Sequence, residues 1–348
     1  MLVAPITDLA LDLRQSQQAL DIRTRLQEAG FEMTLGRTAN YAEALRGNVS
    51  ELYEIDRSIA LLSQHSISLT LASNRAAATQ FALENVLGTV GEIGIQIEGA
   101  VLTDDLVQAE QFAQATNELL ESVVGSLNTN YGGRYVFAGA AETTKPLEDA
   151  ETIINDIITI MDAGPDTATA LANIDIYFDD PAGITDTVTF PAAPFGYQTT
   201  IYNGSTTDAP GVLTPDGDRI DYMIRADDQA IRDMIKGLAT AAAFNQSTIN
   251  ALPGAADDIL LTASAGLQAA GDDLIALRST LGNAEENIET TSIFVEAETA
   301  TLELARFDLV GVDQYEATTR FANLENQLTS LYTVTARLSN LSFTNFLR

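Results

Sequence analysis

The chain has 348 residues, with 49 acidic against 18 basic side chains for a formal net charge of -31, no cysteine, no tryptophan and a single histidine. Acidity on that scale excludes a protein that grips phosphates through clustered Lys and Arg, and anionic bilayers repel it, so neither nucleic acid nor membrane is expected as a partner. Without cysteine there are no disulfides or thiolate chemistry, and His65 alone cannot populate a zinc site of the usual two- or three-histidine type.

Hydrophobic residues make up 46% and aromatic residues 7%, so small and aliphatic side chains must fill the core, a composition that favours close helix contacts. No stretch approaches the roughly 18 apolar residues of a membrane span. The opening Met1 to Asp8 lacks the basic segment and apolar run of a secretory signal. That combination reads as a soluble protein, either cytoplasmic or exported without a cleaved signal peptide.

From Asp8 to about Asn130 there is no proline, and apolar residues recur at helical spacing. Ile22, Leu26, Ala29 and Met33 form one row, and Leu83, Val86, Val90, Ile93 and Ile97 another. The sequence predicts several helices here, joined by a bent loop near Gly36 to Asn48. Within the flank, Gly88, Gly91 and Gly94 stand at three-residue steps, which suits a neighbouring helix approaching closely rather than dinucleotide binding. His65 lies in a helical stretch, and Ser63, Ser66 and Ser68 beside it lack the glycine flanks of a nucleophile elbow. A polar helix position is its expected role.

Acidity concentrates in the middle: residues 141 to 275 carry a net -17 of the chain's -31. Turn signals crowd the same region at Gly164-Pro165, Asp180-Pro181, Asn203-Gly204, Pro210-Gly211 and Pro215-Asp216-Gly217. Between them Ile174 to Phe178, Thr187 to Phe190, Gln198 to Tyr202 and Arg219 to Ile224 read as short strands, with a helix following from about Asp227 to Ala243. The loop from Pro215 to Asp221 has Gly217 in the wrong place for an EF-hand, so a hairpin turn with solvated carboxylates is expected. The pairs Asp179-Asp180, Asp227-Asp228, Asp257-Asp258 and Asp272-Asp273 are expected to cap helices. No catalytic, metal or cofactor-binding residue emerges, and no cofactor is expected.

In the C-terminal flank, Leu274, Leu281, Ile288, Val295, Leu302 and Leu309 occupy one heptad position, which predicts a long helix packed in the manner of a coiled coil. The repeat breaks near Gly311-Val312-Asp313 and resumes with Phe321, Leu324, Leu328, Leu331 and Leu338. Apolar residues persist to Leu341, Phe343 and Phe346, in a stretch that would fray in water unless a partner subunit covered it.

This layout resembles the flagellin superfamily, whose two chain ends pair as coiled coils and carry the assembly contacts. The segment Asn130-Tyr131-Gly132-Gly133-Arg134-Tyr135-Val136-Phe137-Ala138-Gly139 is similar to the turn that closes the N-terminal helices in the hook-associated protein 3 branch. The stretch from Leu324 to Leu347 is similar to the superfamily's terminal helix. At Met33 to Asn40 only Gly36-Arg37 is kept of the strongly patterned segment of flagellins proper, which favours the junction branch over the alternative, a filament flagellin subunit.

The resemblance implies a mainly α fold with a β-containing insertion. Residues 1–140 and 274–348 would be the two parts of a discontinuous domain of long paired helices, a flagellin-like coiled-coil bundle, around a small acidic α+β central domain at 141–273. It implies a non-enzymatic structural role at the extracellular junction of flagellar hook and filament. The implied partners are other copies of the chain, hook-associated protein 1, flagellin and a flagellar export chaperone. Assembly would use Leu9, Leu13, Leu20 and Leu26 at one end and Leu324, Leu328, Leu331, Leu338, Leu341, Phe343 and Phe346 at the other. A hydrolase built on paired carboxylates is the rival from another class, since acids are abundant while other catalytic groups are scarce.

Overall fold

The computed structural model describes residues 4–346 apart from positions 91 and 192, with side chains described between 13 and 337. Ten α-helices are present among these residues: α1 (Ala4–Leu35), α2 (Tyr41–Ala44), α3 (Ser50–Val90), α4 (Ile93–Leu102), α5 (Leu106–Leu127), α6 (Ala150–Ala163), α7 (Thr167–Asp179), α8 (Gln229–Phe244), α9 (Ala255–Val310) and α10 (Gln314–Phe346). The fold is mainly α, as the periodicity requires. Among the described residues, strands are confined to two antiparallel pairs, β1 (Asn130–Tyr131) with β2 (Arg134–Tyr135), and β3 (Val212–Leu213) with β4 (Arg219–Ile220). Contacts divide the chain into two compact units, one of residues 1–64 with 295–348 and one of residues 65–294. These cuts fall inside α3 and α9 rather than at the composition boundaries near 140 and 274.

The 65–294 unit is built around α8. From Gly237 to Phe244 every residue of α8 is buried, and α5, α6 and α7 pack on it. Two glycines let helix backbones close on each other: a Cβ at Gly237 would meet Leu267 Cγ at 2.7 Å, and one at Gly94 would meet the Ser264 carbonyl at 3.1 Å. The close approach expected of the 88/91/94 run is thus realised at Gly94. Gly88 faces open space, α3 ends at Val90 between the two, and Gly91 lies outside the described residues. In the same unit α9 lies against both α3 and α4, with the Gln80 amide of α3 donating to the Arg278 carbonyl at 2.9 Å and the Gln268 amide of α9 donating to Glu98 of α4 at 2.7 Å.

Three of the expected central strands are something else. Ile174 to Phe178 is the last part of α7, where the Asp166 side chain accepts from Thr169 N at 2.7 Å and Ala170, Ile174 and Tyr177 are buried at helical spacing. A cap and a buried row there outweigh the β preference of Ile, Tyr and Phe. Gln198 to Tyr202 falls largely within a π-helical turn, Tyr197–Ile201, and Thr187 to Phe190 is a turn. Of Arg219 to Ile224 only the first two residues pair as a strand. An aromatic cluster of Tyr177, Phe178, Phe195, Tyr197 and Tyr202 fills this part instead. Within it Asp156 accepts hydrogen bonds from the Tyr177 hydroxyl at 2.7 Å and from Thr200 at 3.2 Å. Burial nevertheless raises the Asp156 carboxyl above its ordinary pKa, and burial with the nearby Asp156 charge drives the Tyr177 hydroxyl far upward.

The acidic pairs divide. Asp228 is the N-cap residue of α8, and Asp257-Asp258 sits in the first turn of α9. Asp272-Asp273 lies in the middle of α9, and Asp179-Asp180 ends α7, so neither caps an N-terminus. Asp179 serves a different purpose: with Asp175 and Asp233 it surrounds Lys236 at 3.0 to 3.3 Å. Burial pulls the Lys236 pKa down, but the Asp179 hydrogen bond and the surrounding carboxylates outweigh it and hold the ammonium above its ordinary value. His65 sits on the helical face turned to β3, its Nδ1 3.1 Å from the Leu213 carbonyl. The 215–221 stretch holds the β3–β4 hairpin turn, with Gly217 at φ +91, and β4 itself.

Candidate assembly surface

The chain ends meet in the 1–64 and 295–348 unit, where α1 and α10 pair. The pairing is antiparallel, since Arg23 lies over the Tyr332 ring at 5.6 Å while Glu32 binds Arg320 at 2.8 Å. The row predicted on α1 supplies its inner face: Ala29 is buried, and Ile22, Leu26 and Met33 are half-buried. Gly30 leaves room for the Phe321 ring, which a Cβ would meet at 3.4 Å. On α10, Leu324 is buried and Leu328 and Leu331 are half-buried.

One end of this pair is fixed by two turns that bind each other. Gly36, at φ +65, ends α1 with a conformation few side-chain-bearing residues adopt. Its neighbour Arg37 forms an antiparallel bridge with Gly311, through Thr38 N to the Val310 carbonyl at 2.8 Å and Val312 N to the Gly36 carbonyl at 3.0 Å. At Gly311 a Cβ would drive into the Phe307 carbonyl. Glu32 organises the turn from below: it is only 8% exposed and accepts from Arg320 at 2.8 Å and from Thr38 Oγ1 and Ala39 N at 3.4 Å. A buried carboxylate with a cation and two further donors is satisfied, and losing Arg320 would leave it a costly unpaired charge.

The residues singled out for assembly therefore fall into three groups. Leu26, Leu324, Leu328 and Leu331 are wholly or partly covered within one copy. Leu13 and Leu20 are 60% and 61% exposed, although both lie on a helix already paired along its length. Leu9, Leu338, Leu341, Phe343 and Phe346 lie outside the residues whose side chains are described. Grooves flank the helix pair on two sides. One of about 640 Å³ is lined by Ile22, Asn326, Leu331 and Val334, and another of about 340 Å³ by Ala19, Leu20, Arg23 and Tyr332. Sequence reasoning did not single out Glu32 and Arg320. The available signal was an acid three residues after Ala29, within a row that is otherwise apolar.

The 130–139 segment belongs to the other unit. Gly132 and Gly133, at φ +60 and +83, form the two-residue turn between β1 and β2, and Gly133 N donates to the Asn130 side chain at 2.9 Å. Val136, Phe137 and Ala138 then enter the core, and Gly139 at φ +59 passes so close to the Ser205 and Thr207 carbonyls that no side chain fits.

Residues 265–347, which comprise most of α9 and the whole of α10, match the bacterial flagellin C-terminal helical region. The chain carries a flagellin C-terminal helical region. Among solved structures, the crystal structure of Bacillus cereus FlgL is similar at 16% identity and a TM-score of 0.48, covering 73% of this chain and 99% of that one. No curated protein sequence matches. The matched region thus takes in most of α9, the turn at Gly311 that binds Gly36-Arg37, and α10, one helix of the terminal pair.

Proposed function

We propose that the chain is a structural component of the bacterial flagellum that joins the hook assembly to the filament and assembles through its terminal helices. The observation that carries this reading is the flagellin C-terminal region over residues 265–347. It supplies one helix of a pair whose other member keeps Leu13 and Leu20 in water. In water such leucines gain nothing; covered by a neighbouring copy, each removes apolar surface worth about 25 cal/mol per Å². The assembling residues on this reading are Leu9, Leu13, Leu20 and Leu26 with Leu324, Leu328, Leu331, Leu338, Leu341, Phe343 and Phe346. The hairpin at Tyr131 to Arg134 and the shortened pattern at Met33 to Asn40 favour the junction role over that of a filament subunit.

The same reading makes the chain an extracellular protein, exported unfolded without a cleaved signal and escorted by an export chaperone. A chain without cysteine refolds outside with no oxidation step. Its neighbours would be further copies, hook-associated protein 1 and flagellin. The acidic 141–273 region would face water, where like charge keeps neighbouring subunits soluble. No catalytic role is proposed. Two of the carboxylates beside the 140 Å³ cavity at Leu171, Ile174 and Gly237, those of Asp175 and Asp233, are paired with Lys236.

Two deletions test the proposal. Removing residues 338–348 should leave a soluble protein with its main thermal transition intact yet abolish incorporation into flagella. Removing the whole chain should give cells that build hooks and release flagellin into the medium. Normal filaments in the second strain would refute the junction role, and a copy number in the thousands per flagellum would make the chain a filament subunit.

A further inference from the structure

Two helix faces in the unit that holds the chain ends are exposed and complementary. On α3, Leu52 and Leu62 are buried and Ile55 and Ile59 half-buried, while Tyr53, Arg57 and Ala60 form an exposed row on another side. On α9, Val295 and Val310 are buried, and Glu296, Ala300, Glu303 and Phe307 form an exposed row. The spacing in both rows alternates four and three residues, the repeat of a helix-packing seam. Tyr53 is 67% and Phe307 58% exposed. Their charges are unspent. Among the described residues Arg57 has no carboxylate partner and neither Glu296 nor Glu303 a cation, because Arg306, the nearest base on α9, is taken by Asp56 at 2.9 Å.

We propose that these faces meet between neighbouring copies, with Arg57 of one copy lying against Glu296 and Glu303 of the next and Tyr53 and Ala60 covering Ala300 and Phe307. The occupant is a second copy because copies that each carry -31 repel, so a lasting contact between them must set a free cation against free carboxylates. One heptad separates the two glutamates, about 10 Å along the helix, which brackets a single arginine on the facing row. The two faces differ, so the contact is head-to-tail and propagates into a ring or an open helical array rather than closing as a dimer. The inference rests on the assembly role proposed above and assigns it a specific lateral contact.

The absence of cysteine makes the test clean, since R57C/E303C carries the only two thiols in the chain. Oxidising this variant, both in sheared flagella and as concentrated purified protein, should give a ladder at whole multiples of the chain mass, and neither single variant should give more than a dimer. In cells, R57E should lower incorporation at least tenfold with circular dichroism and melting unchanged, and R57E/E296R/E303R should restore it. A disulfide confined to monomers, an adduct with a protein of another mass, or R57E incorporating like the parent overturns the contact. Finding the parent chain away from the flagellum refutes the assembly role instead, and the purified-protein ladder still decides the contact.

Discussion

α8 and α1 are both helices with ample aliphatic content, yet they have opposite surroundings. α8 is buried without interruption over its last two turns, beneath helices from the same copy. α1 is covered along one stripe by α10 and keeps Leu13, Leu20 and Leu35 in water. Stability in the first case is settled inside a single chain. In the second it is left open, and a second molecule can supply what is missing. On the proposed assembly role, one polypeptide combines a unit stabilised by itself with a unit that association would stabilise further.

The comparison breaks first if the 65–294 unit is not the stable one. Leu120→Ala, at a fully buried position of α5, should lower the main transition by about 2–5 kcal/mol in denaturant unfolding. Gly139→Ala should follow at about 2–3 kcal/mol, because its left-handed backbone and the Thr207 carbonyl, 2.7 Å from the added Cβ, leave no strain-free arrangement. Lys236→Ala should cost about 1–2 kcal/mol by leaving Asp175, Asp179 and Asp233 without their shared cation. The sharpest contrast is the smallest effect. Leu13→Ser with Leu20→Ser should leave the melt of the isolated chain unchanged within about 0.5 kcal/mol while reducing polymer formation at least tenfold by sedimentation.

Acidity offers a test of the same unit. The Asp156 carboxyl has a pKa raised in the folded chain above its ordinary 3.8, burial being the larger effect. The folded state therefore holds that proton more firmly than the unfolded state. Its contribution to stability is complete below about pH 4 and is lost as pH rises through the raised folded value. Asp156→Asn keeps an acceptor for the Tyr177 hydroxyl and removes the charge, so thermal melts between about pH 4 and 8 should show a flatter dependence than the parent.

The sequence was most legible where one chemical period runs long. The heptad from Leu274 to Leu309 marks a helix that continues to Val310, and Gly311 marks its end, because a seven-residue repeat has only one regular solution. Gly36 to Asn48 was readable as a break for a similar reason, since glycines interrupt an otherwise unbroken pattern. The centre was not readable in the same way. Ile174 to Phe178 satisfies both strand and helix preferences, and its outcome depends on the Asp166 cap and on burial against other elements. Of the assembly set, Leu26 belongs to the row that α10 covers and is half-buried, whereas Leu13 lies nine residues before Ile22, about half a turn round the helix from that row, and is exposed. Glu32 escaped notice because its partner, Arg320, is 288 residues away.

The bridge between Arg37 and Gly311 gives the chain a closed circuit: everything from Thr38 to Val310 departs from and returns to one point. The entropy of closing such a circuit grows only logarithmically, by about 0.6 kcal/mol for each doubling of flexible length. Segments can thus be inserted at the exposed turn around Asp216, or trimmed there, with little penalty at the clasp. Length variation in the middle of the chain is thereby uncoupled from the register of the two helices at its ends.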